Sequence, residues 1–158
     1  MPYAIAVGKF VGTISLGLLT GVSYTLSSQS LPLLLTLPGA EPAAYTLTQT
    51  TRLAALHITT LSSASFLGLT LAYALSPPRV RHPYLLWTAL VAATSGSLTL
   101  AADLKVLQRR KRDANVPEIN GEQVERTTRD RQLWEFLRTG LSGLGFAMAV
   151  VGIWGDGA

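Results

Sequence analysis

At 158 residues the chain has room for one domain. Charged residues make up 14% of it, against about 25% in an ordinary soluble domain. Nine of the thirteen Lys and Arg lie between Lys105 and Arg138, and seven of the nine acidic residues between Asp103 and Glu135, so the remaining surface lacks the charge that water contact requires.

The pI near 9.8 rests on a net charge of only +4. Its basic block, Arg109-Arg110-Lys111-Arg112, directly follows an apolar span and reads as a membrane-flanking anchor. No aromatic-interleaved basic face accompanies it, which argues against nucleic acid as a partner. The absence of cysteine excludes disulfides, thiolate metal sites and cysteine nucleophiles. Lys9 sits inside the first apolar stretch and no Arg precedes Arg52, so neither a cleavable signal nor an Arg-rich presequence is expected.

In chain order, no charge occurs between Lys9 and Glu41. A hydrocarbon layer of about 30 Å needs about 20 residues at roughly 1.5 Å each, so a first span is placed at 3–26, with Lys9 snorkelling to the interface. Ser27-Ser28-Gln29-Ser30 and Pro32 are expected to end it, leaving Leu31 to Leu37 as a cap. Pro38-Gly39 and Pro42 mark a connector. The second span is read from about Ala43 or Leu53 to Leu75, with 53–75 taken as its bounds, Arg52 near its entry, His57 inside and Pro77-Pro78 at its end. The link to the third span is so short that these two spans must be antiparallel neighbours. The third span covers 83–102, and its helix is free to continue towards Arg112. Asn115-Val116-Pro117 and Asn120-Gly121 break the chain, a charged helix is expected from Glu122, and the fourth span covers 139–154. Within hydrocarbon every backbone polar group must bond inside the protein, and the runs lack strand alternation. The expected fold is therefore all-α: a membrane-embedded four-helix bundle, one domain over 1–158, with a charged loop 103–138 between helices three and four. That loop side carries ten of the thirteen basic residues when Arg52 is included, which places it in the cytosol.

Small residues suggest where helices approach. Gly8, Gly12, Gly17 and Gly21 form two four-residue spacings in the first span, and Gly143 and Gly152 fall in the fourth. Close backbone approach favours helix association in lipid, although glycine is common in membrane helices generally. His57 lies among Thr59, Thr60, Ser62 and Ser63, and an interhelical hydrogen bond accounts for it better than a metal site, because the apolar spans offer no carboxylate. No acid–base pair, phosphate loop or nucleophile triad is present, so no catalytic, cofactor or metal residues are assigned. Arg79, Arg81, His82 and Tyr84 form a basic turn at the membrane edge, suited to lipid phosphate or a partner; anchoring alone explains the arginines equally well. Arg109, Arg110, Lys111 and Arg112 are the second such group. Tyr84, Trp87, Trp134 and Trp154 suit interfacial belts. Trp134-Glu135-Phe136-Leu137 matches the aromatic-x-x-aliphatic pattern that autophagy ubiquitin-like proteins read as an added strand. Here it runs directly into the fourth helix, where an interfacial Trp is the simpler reading.

Pro77-Pro78-Arg79-Val80-Arg81-His82-Pro83-Tyr84-Leu85-Leu86, the ending Val151 to Gly157 and the early Lys9 to Leu18 together resemble the fungal autophagy-related protein 33 family. The resemblance implies a non-enzymatic protein of the mitochondrial outer membrane that promotes selective autophagy of mitochondria. The loop here is shorter and more basic than the Ser-, Thr- and acid-rich loop of that family. Thr127 and Thr128 are its only hydroxyls, which argues against phosphorylation-regulated docking through it. Partners are expected through the 103–138 loop or the glycine-rich faces, besides membrane lipids. The alternatives are an accessory membrane subunit of a larger mitochondrial complex and a small four-span enzyme of the anthrone-oxygenase type using His57 and His82. Oligomeric state is left open.

Overall fold

The computed structural model describes residues 2–78, 81–112 and 121–155. These form α1 (Pro2–Thr25), a π-helical turn (Leu26–Ser30), a short α2 (Leu31–Leu34), α3 (Ala40–Leu75), α4 (Tyr84–Arg112) and α5 (Gly121–Gly155). Among the described residues there is no strand. The four long helices make one bundle in which α1 and α4 occupy opposite corners, each packed between α3 and α5. Tyr3–Leu34, Ala40–Leu75 and Gly121–Gly155 are long and apolar enough to cross a membrane. The fourth long helix, α4, opens with the uncharged run Tyr84 to Ala102.

Several boundaries differ from the sequence expectation, each for a local reason. The serine cluster and Pro32 do not end the first helix. The Ser27 and Ser28 hydroxyls donate back to the Tyr24 carbonyl at 3.0 and 2.6 Å, so they satisfy the helix instead of competing with it. The backbone widens into a π turn, with the Leu31 N–H reaching the Leu26 carbonyl. Pro32 then sits in the first turn of α2, where its missing N–H costs little. The helix ends only at Leu35 to Leu37, which close 3-10 type bonds to Pro32, Leu33 and Leu34.

The second long helix starts at Ala40, close to Ala43, the earlier of the two expected starts, and well before Leu53; Gly39 takes an extended N-cap conformation and Glu41 lies in the first turn, favourable to the helix dipole. Its C-terminus falls at Leu75 ahead of Pro77-Pro78. The charged region 103–138 is helical at both ends: it continues α4 to Arg112 and opens α5 at Gly121.

What is buried identifies the surrounding medium. Among the described residues, fourteen buried positions are polar or charged and thirteen apolar. The exposed face carries Phe10, Ile14, Leu18, Leu53, Leu56, Leu67, Leu71, Leu133, Leu144 and Val151, among others. A water-soluble bundle has the opposite distribution. Large apolar side chains outside and small hydroxyls within are what hydrocarbon solvent selects.

The helices are also longer than the layer they cross. The 36 residues of α3 extend about 54 Å at 1.5 Å each, against about 30 Å of hydrocarbon. The excess stands at the loop end, where Leu31, Leu34 and Leu47 pack with Val124 into a small separate core, and Gly121 faces Ala40.

Candidate functional site

The buried stripe of α5 runs Thr128, Glu135, Arg138, Ser142, Gly145, Ala149, a spacing that keeps one helix face towards the bundle. Two of these residues are charged. Arg138 is 0% exposed and Glu135 4%. Each of the three guanidinium nitrogens has a partner: one terminal nitrogen donates to the Glu135 carboxylate, the other to Thr99 Oγ1 at 2.9 Å, and Nε to the Ser95 carbonyl at 3.0 Å. α4 contributes both neutral acceptors. The opposite flank of α5 on the same turns, Leu133, Phe136 and Leu137, is exposed and apolar.

This pair resolves a length problem. From Thr139 to Gly155 the chain has 17 uncharged residues, short of the roughly 20 a bilayer needs. With Glu135 and Arg138 turned inward and mutually neutralised, the lipid-facing side of α5 is apolar from Leu133 onward, and the span is long enough. Sequence reading misses the pair because it assigns residues up to Arg138 to the loop. The available signals are the i, i+3 spacing of Glu135 and Arg138, their register with Ser142 and Gly145, and the shortness of the uncharged run beyond them.

The polar interior extends along the bundle. The Ser142 hydroxyl donates to the Arg138 carbonyl at 2.7 Å, and Thr20 Oγ1 lies 3.1 Å from Ser142 Oγ across the α1–α5 contact. Ser65 donates to the Gly12 carbonyl at 2.9 Å between α3 and α1. At the loop end the Gln132 side-chain amide donates to the Ser27 carbonyl at 2.9 Å. Thr13, Ser23, Ser62 and Ser95 bury hydroxyls with no hydrogen-bond partner among the described residues.

The glycines singled out in the sequence fall in different surroundings. Gly8 and Gly12 lie where α1 crosses α3: a Cβ on Gly8 would stand 2.8 Å from the Gly68 carbonyl oxygen, and one on Gly68 would meet Gly8 O at 2.9 Å and Gly12 N at 3.1 Å. Only hydrogen fits at that crossing. Gly17 faces the Phe146 ring, Gly143 faces Thr20, and Gly152 is covered by the Tyr84 ring. Gly21 has open space around it and makes no close approach, since α1 has by then turned that face away from its neighbours.

At the hairpin end Arg81 donates to the Ala74 and Ser76 carbonyls at 3.3 and 3.4 Å and lies 4.8 Å from the Tyr73 ring centre. It thereby caps the C-terminus of α3. His82 and Tyr84 face each other with ring centres 6.1 Å apart, and Lys9 stands 5.9 Å from the Tyr84 ring. Arg79 lies outside the described residues. Arg109, Arg110, Lys111 and Arg112 close α4, with side chains outside the described residues.

His57 departs from expectation. Its Nδ1 pairs with the Leu53 carbonyl at 2.8 Å within α3, and the ring is exposed. Among the described residues it makes no interhelical bond, and its ring lies on an exposed face of α3. Trp134 and Leu137 are helical within α5, and Leu137 points outward at 53% exposure. Among the described residues no group of three or more metal-ligating side chains converges. The arrangement joins and orients helices in a low-dielectric interior.

A polytopic helical membrane protein with an ion-paired polar interior is thus defined by fold and site. Comparison with known proteins supplies the family. The sequence model of autophagy-related protein 33 matches residues 1–133. Autophagy-related protein 33 of Gibberella zeae is 38% identical over 187 aligned positions, covering 98% of this chain and 93% of that protein. The chain belongs to the autophagy-related protein 33 family. The alignment is longer than the 158 residues of this chain, so the relative carries inserted residues that this chain lacks. No solved structure matches.

Proposed function

We propose that this protein resides in the mitochondrial outer membrane and promotes selective autophagy of mitochondria without catalysing a reaction itself. Family membership across nearly the whole chain is the observation that carries the reading. The inside-out bundle supports a membrane-resident role, since its exposed face suits lipid and its polar groups are turned inward. In this reading the charged ends of α4 and α5 stand on the cytosolic side, as the excess of Lys and Arg there favours.

Gene deletion tests the proposal. Degradation of a mitochondrial matrix reporter in starved or ageing cells slows, while bulk autophagic flux continues at the wild-type rate. Equal mitochondrial turnover in deleted and wild-type cells overturns it. Protease protection of intact mitochondria tests the orientation: a tag at 113–120 is removed by external protease, and a protected tag reverses the assignment.

A further inference from the structure

We propose that a cavity between α3, α4 and α5 is a site for an ordered water molecule, bonded to the second carboxylate oxygen of Glu135 and supplied from the loop end of the bundle. The buried ion pair is then hydrated from within the protein while lipid surrounds the helices. The inference does not depend on the cellular role proposed above.

The carboxylate supplies the first observation. Glu135 is buried, and one of its oxygens accepts from Arg138. The other oxygen has no hydrogen-bond partner among the described residues. A carboxylate oxygen left bare in a low-dielectric interior is costly, and buried ionisable groups in membrane spans characteristically face water-filled cavities. Glu135 borders such a cavity, together with Thr99 of α4, Thr50 and Ala54 of α3, and Leu31 and Ile58. Thr99 Oγ1 accepts from Arg138, and neither its hydroxyl proton nor that of Thr50 is donated to a described residue. Three helices thus bring one free acceptor and two free donors to the same space.

Size and charge select the occupant. The centre of a water-sized molecule has about 10 Å³ of free room there, on the order of what a single water needs. Water both donates and accepts, so it can bond the Glu135 oxygen while receiving a proton from a threonine hydroxyl. A metal cation is disfavoured, because Arg138 already neutralises the carboxylate and Arg131 also borders the cavity. The room is too small for an organic ligand.

Position supplies the route. An open groove of about 450 Å³ at the loop end is bordered by Thr48, Arg52 and Arg131, among others, polar groups that keep its mouth wet. It shares Thr51, Ala55 and Arg131 with the cavity, so the cavity lies directly beneath it.

The test is radiolytic footprinting of the wild-type protein in detergent, which oxidises side chains standing beside ordered water. Ile58, Leu16 and Leu19 are buried in one core cluster, and of these only Ile58 borders the cavity. Ile58 should be oxidised several times faster than Leu16 and Leu19; equal rates overturn the proposal. A second arm uses an isosteric pair. Ala54→Thr and Ala54→Val add nearly the same volume, so overpacking cancels between them, and only Thr offers a hydroxyl in place of displaced water. Ala54→Val should melt roughly 2–4 °C below Ala54→Thr, the shift that one hydrogen bond gives in a chain of this size. In a Glu135→Leu/Arg138→Met background that gap should vanish or reverse. Equal stability of the two Ala54 variants, or the same gap in both backgrounds, means a dry cavity and overturns the proposal. The footprinting arm needs no substitution, so it decides the question even where a variant fails to fold.

Discussion

Gln132 of α5 and Ser27 of the π turn, 105 positions apart, are joined by a hydrogen bond of 2.9 Å from the side-chain amide to the main-chain carbonyl. The next few residues after Ser27 leave that carbonyl available. In a regular helix its donor would be the Leu31 N–H, which the π turn redirects to Leu26. In a π pattern its donor would be residue 32, a proline. Gln132 replaces the missing backbone donor, and a local irregularity becomes an interhelical contact.

This geometry couples Gln132 to Pro32. Gln132→Leu should cost about 1 kcal/mol, the typical net worth of such a bond. In a Pro32→Ala background residue 32 regains an N–H that can serve the Ser27 carbonyl, and the same Gln132→Leu change should cost distinctly less. Unfolding in mixed micelles measures both; strictly additive losses would refute the coupling.

The Arg138 network predicts a second non-additive pair. Removing one partner leaves the other charge buried, so Arg138→Met or Glu135→Gln alone should destabilise by about 3–5 kcal/mol. The double variant Glu135→Gln/Arg138→Met should recover a large part of that loss. A double-mutant cycle on the same unfolding assay checks this, and losses that simply add would show that the two side chains act independently.

The helix crossing makes a steric prediction. Gly68→Val should weaken the α1–α3 contact strongly, because any Cβ there meets main-chain atoms of Gly8 and Gly12. Gly21→Ala and Gly140→Ala, with nothing within 4 Å, should be neutral or stabilising by up to about 1 kcal/mol through helix propensity. Thermal stability in detergent distinguishes the two classes. Equal effects would mean that α1 and α3 do not approach so closely in the protein.

Since the chain has no cysteine, single cysteines can map the membrane boundary on α5 without background. Replacement of Leu133, Phe136 or Leu137 should give thiols protected from a membrane-impermeant maleimide, while thiols at Arg126 and Arg129 should react. Rapid labelling at 136 and 137 would move the boundary back to Thr139.

The helical class and the existence of a bundle are readable from the uncharged runs, because bilayer thickness leaves few alternatives. The ends of the helices are less so. Pro32 and the serines before it carry helix-breaking signals, but the backbone absorbs them through a π turn and hydroxyl bonds to Tyr24. Arg138 and Glu135 are harder still. Charge alone assigns them to water, and only knowledge of the α4 surface, with Ser95 and Thr99 opposite, shows that they can be satisfied inside. His57 misleads for the reverse reason: a polar group in an apolar span invites an interior partner, whereas Leu53 of its own helix supplies one.

The extension of α3 and α5 past the bilayer, held together by Leu31, Leu34, Leu47 and Val124, has a mechanical implication. From Gly121 to Gly155 α5 is one uninterrupted helix, so a partner that grips its outer turns near Glu122 holds a stiff lever. Arg138 lies five residues beyond Leu133, where the lipid-facing surface begins, so tilting that lever would strain its bonds to Ser95 and Thr99 and carry an event in the surrounding water across the membrane boundary.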